Sequence, residues 1–298
     1  MSATDRRFTA LILAGSRGPD DPVARQAGQT HKALVPVAGV PMLLRVLRTL
    51  RQTPSIGRLA LCVDRAALEQ LHDPVAAGLL SDVRIVEPGP TPSASVRRAI
   101  EELPDALPLL VTTADHALLT TAMVEHFCAA APADADVAVA LATATTIQRD
   151  YPESIRTYYR FGGEGYSGCN LFLLRGPAAT KVAAFWSEME RHRKRPWRLV
   201  AAIGPLTLLR FLLGALSLEA AMRRLSRIIG ATVCAVEMPF AEAAIDIFSG
   251  RPNPVVEIDG KRAREILERL EPTKPLERNP SWFTHSRRVG RSFGNHRR

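Results

Sequence analysis

Apolar and polar residues run along this chain in alternating blocks, and the blocks read by turns as strands and helices. Residues 9–13 are a short apolar run that stops at Gly15 and Gly18, the pattern of a fully buried strand ending in a tight turn. Residues 42–50 repeat apolar side chains at helical spacing with arginines on the other side, and Thr53-Pro-Ser-Ile-Gly57 breaks that helix. A second buried strand spans 58–63 and ends at Asp64; a helix follows over 66–80, then a short strand over 83–86 closed by Pro88-Gly-Pro90. Thr91-Pro-Ser-Ala-Ser95 leads into a helix over 96–102. Residues 108–115 form an apolar strand ending in Asp115, with a helix beginning near Thr120. Residues 134–142 read as another buried strand, 151–161 as a turn-rich, hairpin-like insertion, and 171–174 as a strand.

Later blocks are helical. Residues 178–191 form an amphipathic helix carrying Phe185 and Trp186. Residues 199–222 are apolar enough to raise the question of a membrane span, which needs about 20 apolar residues with few charges. Pro205 and Arg210 interrupt them, so they read as two core or lid helices. A last strand covers 231–236 and a polar amphipathic helix 261–270. Beyond Pro272 the chain is rich in Pro, Arg and Ser, a composition expected to be disordered. The strand–helix alternation predicts an α/β fold: a doubly wound, mostly parallel sheet with helices on both faces, plus a helical C-terminal part. Ligands of such sheets lie beyond the carboxyl ends of the strands, where the Gly15 turn would fall.

Composition changes this picture little. The 298 residues suit one α/β domain with an appendage, and an apolar content of 46% suits a sizeable core. Cys62, Cys128, Cys169 and Cys234 are far apart in apolar surroundings with no Cys-x-x-Cys pair, so they read as reduced thiols of a cytoplasmic protein. The apolar run after the first residues is too short for a signal-peptide core. The formal net charge of +9 owes much to residues 191–195 and 287–298. Such a balance suits nucleic acid, a membrane surface or phosphorylated substrates, but is most often a solvated helix face and a loose tail.

Two landmarks carry candidate chemistry. At Gly15 and Gly18 the backbone can approach an anion and point N–H groups at it, and Arg17 and Lys32 would add two fixed cations. Asp115 ends a strand at the same crevice; a hard carboxylate beside phosphates suits Mg2+, and capping of the next helix is its structural alternative. Ser93 and Ser95 precede a helix, where capping is the ordinary role and nucleotide contact the functional one.

Leu13-Ala-Gly-Ser-Arg-Gly18, Lys32-Ala-Leu-Val-Pro36 and Gly39-Val-Pro-Met42 together resemble the signature of the MobA-like NTP-transferase family. Its members usually read Leu-Ala-Gly-Gly-x-Gly-x-Arg, Pro-Lys-x-Leu and Gly-x-Pro. This chain has a shorter glycine loop, a longer spacer before Lys32, and His31 where the family has Pro. The resemblance, over about residues 9–247, implies a Rossmann-like, GT-A-like core and a Mg2+-dependent nucleotidyltransferase. Such an enzyme moves an NMP from an NTP to a small, phosphorylated acceptor and releases pyrophosphate.

The resemblance also implies site residues. Leu13, Ala14, Gly15, Ser16 and Gly18, with Ser93 and Ser95, would bind the nucleotide; Arg17 and Lys32 would be catalytic, with Arg25 as an alternative cation to Arg17. Gly168 and Asn170 match the family's Gly-x-Asn element facing the acceptor, and Asp115 matches its metal aspartate. Asp246 lies in the family's terminal Ile-Asp-x-Asp-x-Pro-type turn, whose second acid is a metal ligand, but Phe248 stands at that acid; either Asp246 serves as a metal ligand, or Asp115, phosphates and water hold the metal alone, or the enzyme is impaired. Residues 1–250 would form this domain, with a helical acceptor-side insertion at about 178–228 that brings Arg193, Lys194 and Arg195 to the acceptor. Residues 251–298 would be a helical appendage and basic tail. A nucleotide-sugar-dependent glycosyltransferase would want Asp-x-Asp where this chain has Asp115-His-Ala. A non-catalytic nucleotide-binding protein is a second alternative. Neither nucleic-acid binding nor a transmembrane segment is expected.

Overall fold

In the computed structural model, residues 8–15, 21–71, 74–103, 105–154, 156–191, 204–245 and 261–270 are described. The first strand, β1 (Phe8–Ala14), lies at the centre of the main sheet. Its residues alternate between two cores: Ala10 and Ile12 enter one cluster, Leu11 the other. The sheet is therefore covered on both faces, which is why its strands read as continuous apolar runs.

From β1 the chain passes through a short helix α1 (Pro22–Gln26), a 3-10 turn (Lys32–Leu34) and a small hairpin of β2 (Pro36–Val37) and β3 (Val40–Pro41). Ala38 and Gly39 both take positive φ at the hairpin tip, as a two-residue turn joining twisted strands requires. Helix α2 (Met42–Gln52) then covers the larger core. Its arginines do not all lie on a solvent face: Arg45 is buried, and its Nε donates to the Val37 carbonyl at 3.0 Å. A long apolar stem with one satisfied head group makes that burial tolerable.

Strand β4 (Ile56–Val63) pairs parallel to β1 on one side, and β5 (Arg84–Val86) extends the sheet to its edge. The helix expected over 66–80 is instead two, α3 (Arg65–Leu68) and α4 (Pro74–Leu80). Pro74 explains the break, because the residue before a proline is driven out of the helical region. Helix α5 (Pro92–Glu102) leads to β6 (Leu109–Thr113), which pairs parallel to β1 on its other side. Strands β4 and β5 are thus added on one side of β1 and β6 on the other, which makes the β1–β6 boundary the switch point where such folds bind ligands.

Helix α6 (Thr121–Ala130) leads to β7 (Val137–Thr143), and α7 (Ala144–Asp150), which the sequence pattern missed, follows. Strands β8 (Tyr159–Phe161) and β9 (Glu164–Leu174) form the expected hairpin, but β9 is far longer than residues 171–174. It lies antiparallel between β6 and β7. Helix α8 (Ala179–Arg191) packs on the second core, whereas α9 (Pro205–Leu212) and α10 (Leu218–Ile229) contain no fully buried residue. Strand β10 (Val233–Glu237) closes the far edge, giving the order β10-β7-β9-β6-β1-β4-β5 with β8 on β9.

The C-terminal helix α11 (Lys261–Leu270) inserts Ile266 and Leu267 into the same core as β1. Arg269 ties it down: its guanidinium donates to the Tyr151 hydroxyl and to Glu242 Oε1, both at 2.5 Å. Among the described residues no helix is long and apolar enough to cross a membrane. The four cysteines are unpaired, with Cys62 and Cys169 buried.

Candidate functional site

The carboxyl ends of β1, β4 and β6 bring together residues far apart in sequence. Between β1 and α2, Asp21 caps α1 by accepting from the N–H groups of Val23 and Ala24 at 3.0 and 3.3 Å. His31 caps the following turn, its Nδ1 accepting from the Ala33 N–H at 3.1 Å. This cap places Lys32 over the sheet end, and its Nζ meets Asp115 Oδ2 at 2.5 Å. The pair is 83 residues apart in sequence.

Burial alone would raise the Asp115 carboxyl, yet it is held below the ordinary carboxylate range. The Lys32 ammonium, as charge and as donor, outweighs the burial. Asp115 therefore carries its charge, and its second oxygen, Oδ1, is buried without a hydrogen-bond partner. An orphaned anionic oxygen in such a place is costly unless a cation or donor meets it. The adjacent His116 is fully buried and lies 3.3 Å from the Thr112 hydroxyl through Nδ1. Desolvation lowers its pKa to about 4, against the pull of Asp115 and with the push of Arg156. It is a neutral wall of the site.

The nucleotide-side residues sit where β1 ends. The Leu13 carbonyl accepts from the Ala114 N–H at 2.9 Å, joining the two strand ends; Ala14 is buried and Gly15 exposed. A side chain at Gly15 would touch Pro88, and one at Gly89 would meet Ala94 at 2.8 Å. Gly89 is thus needed for its turn to lie on α5. Ser95 serves that turn, accepting from the Gly89 N–H at 2.9 Å and donating to the Thr91 carbonyl. Thr91, rather than either serine, caps α5. Ser93 is fully buried, its hydroxyl bonded to Ser187 at 2.8 Å and to Glu190. Ser16, Arg17 and Gly18, like Asp246, Phe248 and residues 193–195, lie outside the described residues. Arg25 is exposed in the last turn of α1.

On the other flank, β9 presents Gly168, opposite Leu141 of β7, and Asn170. Gly168 is exposed, and a side chain there would meet nothing within 4 Å, so the space above it is open. Asn170 takes φ +48°, beside the irregular register between β9 and β7. Positive φ is uncommon outside glycine, and asparagine bears it best; such outliers cluster at functional sites. Sequence patterns did not single out Arg156. Its guanidinium donates to the Gly168 carbonyl at 3.1 Å and to Ser167 Oγ at 3.3 Å, and its charge reaches His116. Nothing local in the sequence signals this; only the hairpin brings residue 156 back to β9. His31 stands where the family has Pro. Its Nε2 lies 3.4 Å from Asp64 Oδ2 at the end of β4, so its ring links that strand end to the Lys32 turn.

The structure is thus a doubly wound α/β sheet with a lysine–carboxylate pair beyond the carboxyl ends of its central strands. The model of the MobA-like NTP transferase domain matches residues 10–203, and the chain belongs to that family. It is 34% identical over 132 residues to a molybdenum cofactor guanylyltransferase of Rhodobacter capsulatus, spanning 43% of this chain and 60% of that protein. It is 32% identical over 149 residues to a 2-C-methyl-D-erythritol 4-phosphate cytidylyltransferase of Gloeobacter violaceus, spanning 48% of this chain and 60% of that protein. The chain thus matches less than two thirds of the length of these relatives. Among solved structures, a hypothetical transferase from Thermus thermophilus superposes with a TM-score of 0.68 at 27% identity, covering 80% of this chain and 96% of that one.

Proposed function

We propose that the protein is a nucleotidyltransferase that moves a nucleoside monophosphate from an NTP to a small, phosphorylated acceptor and releases pyrophosphate. The observation that carries this reading is the Lys32–Asp115 pair at the switch point, with Asp115 Oδ1 buried and unpartnered beside it. Relatives whose names specify guanylyl and cytidylyl transfer support it.

An oxygen of the acceptor phosphate attacks the α-phosphorus of the NTP. The bond from that phosphorus to the bridging oxygen breaks, and pyrophosphate leaves with the electron pair. An acceptor that is already anionic needs no general base. Backbone N–H groups of residues 15–18 cradle the β- and γ-phosphates, and Lys32 and Arg17 offset charge on the α-phosphate and the leaving group. Arg156, beside Gly168, binds the anionic group of the acceptor, and Asn170 orients it.

Asp115, whose Oδ2 is paired with Lys32 and whose Oδ1 has no hydrogen-bond partner, is the residue that would hold Mg2+. No group of three or more His, Cys, Asp or Glu able to hold a metal exists among the described residues. One carboxylate with phosphate oxygens and water is nevertheless a sufficient donor set for this ion. Bound there, the ion supplies Lewis-acid neutralisation of the α-phosphate charge.

The test is a melting-temperature panel of the four NTPs with and without Mg2+, followed by pyrophosphate release with phosphorylated acceptors and the stabilising NTP. Release that needs NTP, acceptor and Mg2+ together is expected. Stabilisation without release would make the protein a nucleotide-binding module, and no response to any NTP would end the reading.

A further inference from the structure

Helix α9 carries an apolar face that nothing among the described residues covers. Leu206, Leu209 and Leu213 recur at the spacing of one helix side, with Leu212 beside them, and all four are 51–72% exposed. Arg210, one turn from Leu206, is exposed on the same side. Another side of the helix is occupied, since the Phe211 ring packs on Phe161 of β8 with centroids 5.4 Å apart. The Gly162 N–H holds the end of this segment by donating to the Leu216 carbonyl at 2.9 Å. Tyr159 shares a strand face with Phe161 and is 59% exposed, which extends the patch onto the hairpin.

Large apolar side chains exposed in a row mark an interaction surface, and the charge around them indicates the partner. Residues 205–229 contain Arg210, Arg223, Arg224 and Arg227 against one acid, Glu219, which Arg223 already pairs. The Arg224 guanidinium reaches Gly204, at the very start of α9. The whole chain is cationic at +9. Leucines that protrude from a short helix, with Arg210 on it, Arg224 at its start and an exposed tyrosine on the adjoining hairpin, suit a soft anionic surface better than a structured groove.

We propose that α9 docks the protein on the surface of a lipid bilayer that carries anionic headgroups. The leucines enter the interfacial zone, the arginines meet headgroup phosphates, and Tyr159 sits at the boundary. Attachment is peripheral, since no described helix can span a bilayer. Neither term would hold the protein alone; apolar insertion and charge attraction add. The docked face belongs to the β8–β9 hairpin side, so the strand bearing Gly168 and Asn170 is anchored to the element that touches the membrane.

Co-sedimentation of the full chain with vesicles tests this. Wild type should pellet with phosphatidylglycerol-containing vesicles, much less with pure phosphatidylcholine, and be released by salt. The combined Leu206→Ser, Leu209→Ser and Leu213→Ser variant should partition at least ~10-fold more weakly while keeping its melting temperature and its NTP response. Should that variant fold poorly, Arg210→Glu should weaken binding to the anionic vesicles alone. Wild type left in the supernatant with both vesicle types, or binding unaffected by these changes, would overturn the proposal. So would a wild-type dimer that the leucine variant splits, because the face would then belong to a second copy. The readout is independent of catalysis: failure of the NTP panel leaves it intact, and its own failure leaves the transferase reading intact.

Discussion

The two flanks of the cleft are built differently. On the nucleotide side, β1, β4 and β6 pair in parallel, and α2 buries eight of its residues against them. On the side of Gly168 and Asn170, the β8–β9 hairpin holds α9 through the Phe161–Phe211 contact while α10 packs on β10, and neither helix has a buried residue. Elements with few buried apolar contacts open locally at low free energy, whereas central strands open only with the whole fold. A phosphate-binding corner benefits from rigidity, because charges fixed before the reaction need not reorganise during it. The loose packing of the other flank is confined to α9 and α10, since β9 beneath them is an interior strand with Cys169, Leu171 and Leu173 buried.

Three measurements would break or sharpen this contrast. The largest effect is expected at the rigid corner: Lys32→Ala and Asp115→Ala should each lower kcat/KM by at least ~100-fold, the scale of a preorganised charge. Losses under about threefold in both would remove the corner from the chemistry. A smaller, one-sided effect is expected across the cleft. Arg156→Gln should raise the acceptor KM roughly 10-fold, about the 1.4 kcal/mol of one charge-assisted hydrogen bond, and leave the KM for NTP unchanged. Equal changes in both KM values would show that the two flanks are not separable.

The smallest effect concerns His31. Burial lowers its pKa from 6.5, against the pull of Asp64 and Asp21. Below pH 6.5 the unfolded chain binds a proton here that the folded chain does not, so acid favours unfolding. His31 therefore contributes stability above that pH and loses it as pH falls. His31→Asn, which can still accept the Ala33 N–H, should flatten the acid limb of melting temperature against pH. An unchanged limb would mean that the Lys32 turn is not held by a buried neutral imidazole.

Much of this architecture is legible in the sequence, and the reasons are local. A strand buried on both faces must be apolar throughout, so 9–13, 58–63 and 108–115 announce themselves, and glycines mark where they stop. The misses have physical causes too. Strand β9 escapes because its first half, Glu164 to Asn170, mixes glycine and polar residues and is held only by pairing with β7 and β8. Helix α7 escapes because Ala144 to Asp150 shows a single buried residue, Ile147. Ser93 looks like a capping or ligand-facing hydroxyl in sequence, but the contact with α8, 94 residues away at Ser187, decides where it points.

The sequence by itself determined the strand–helix alternation, the membership of the family and the two residue types, lysine and aspartate, that meet at the switch point, because strand burial and turn chemistry are short-range properties. Only the tertiary structure decided that Lys32 and Asp115 touch, that Asp115 Oδ1 is buried without a hydrogen-bond partner, that Arg156 meets Gly168, and that α11 enters the core of β1. Those outcomes depend on which chain segments are folded against one another and on the desolvation and charge they then share. No window of neighbouring residues contains that information.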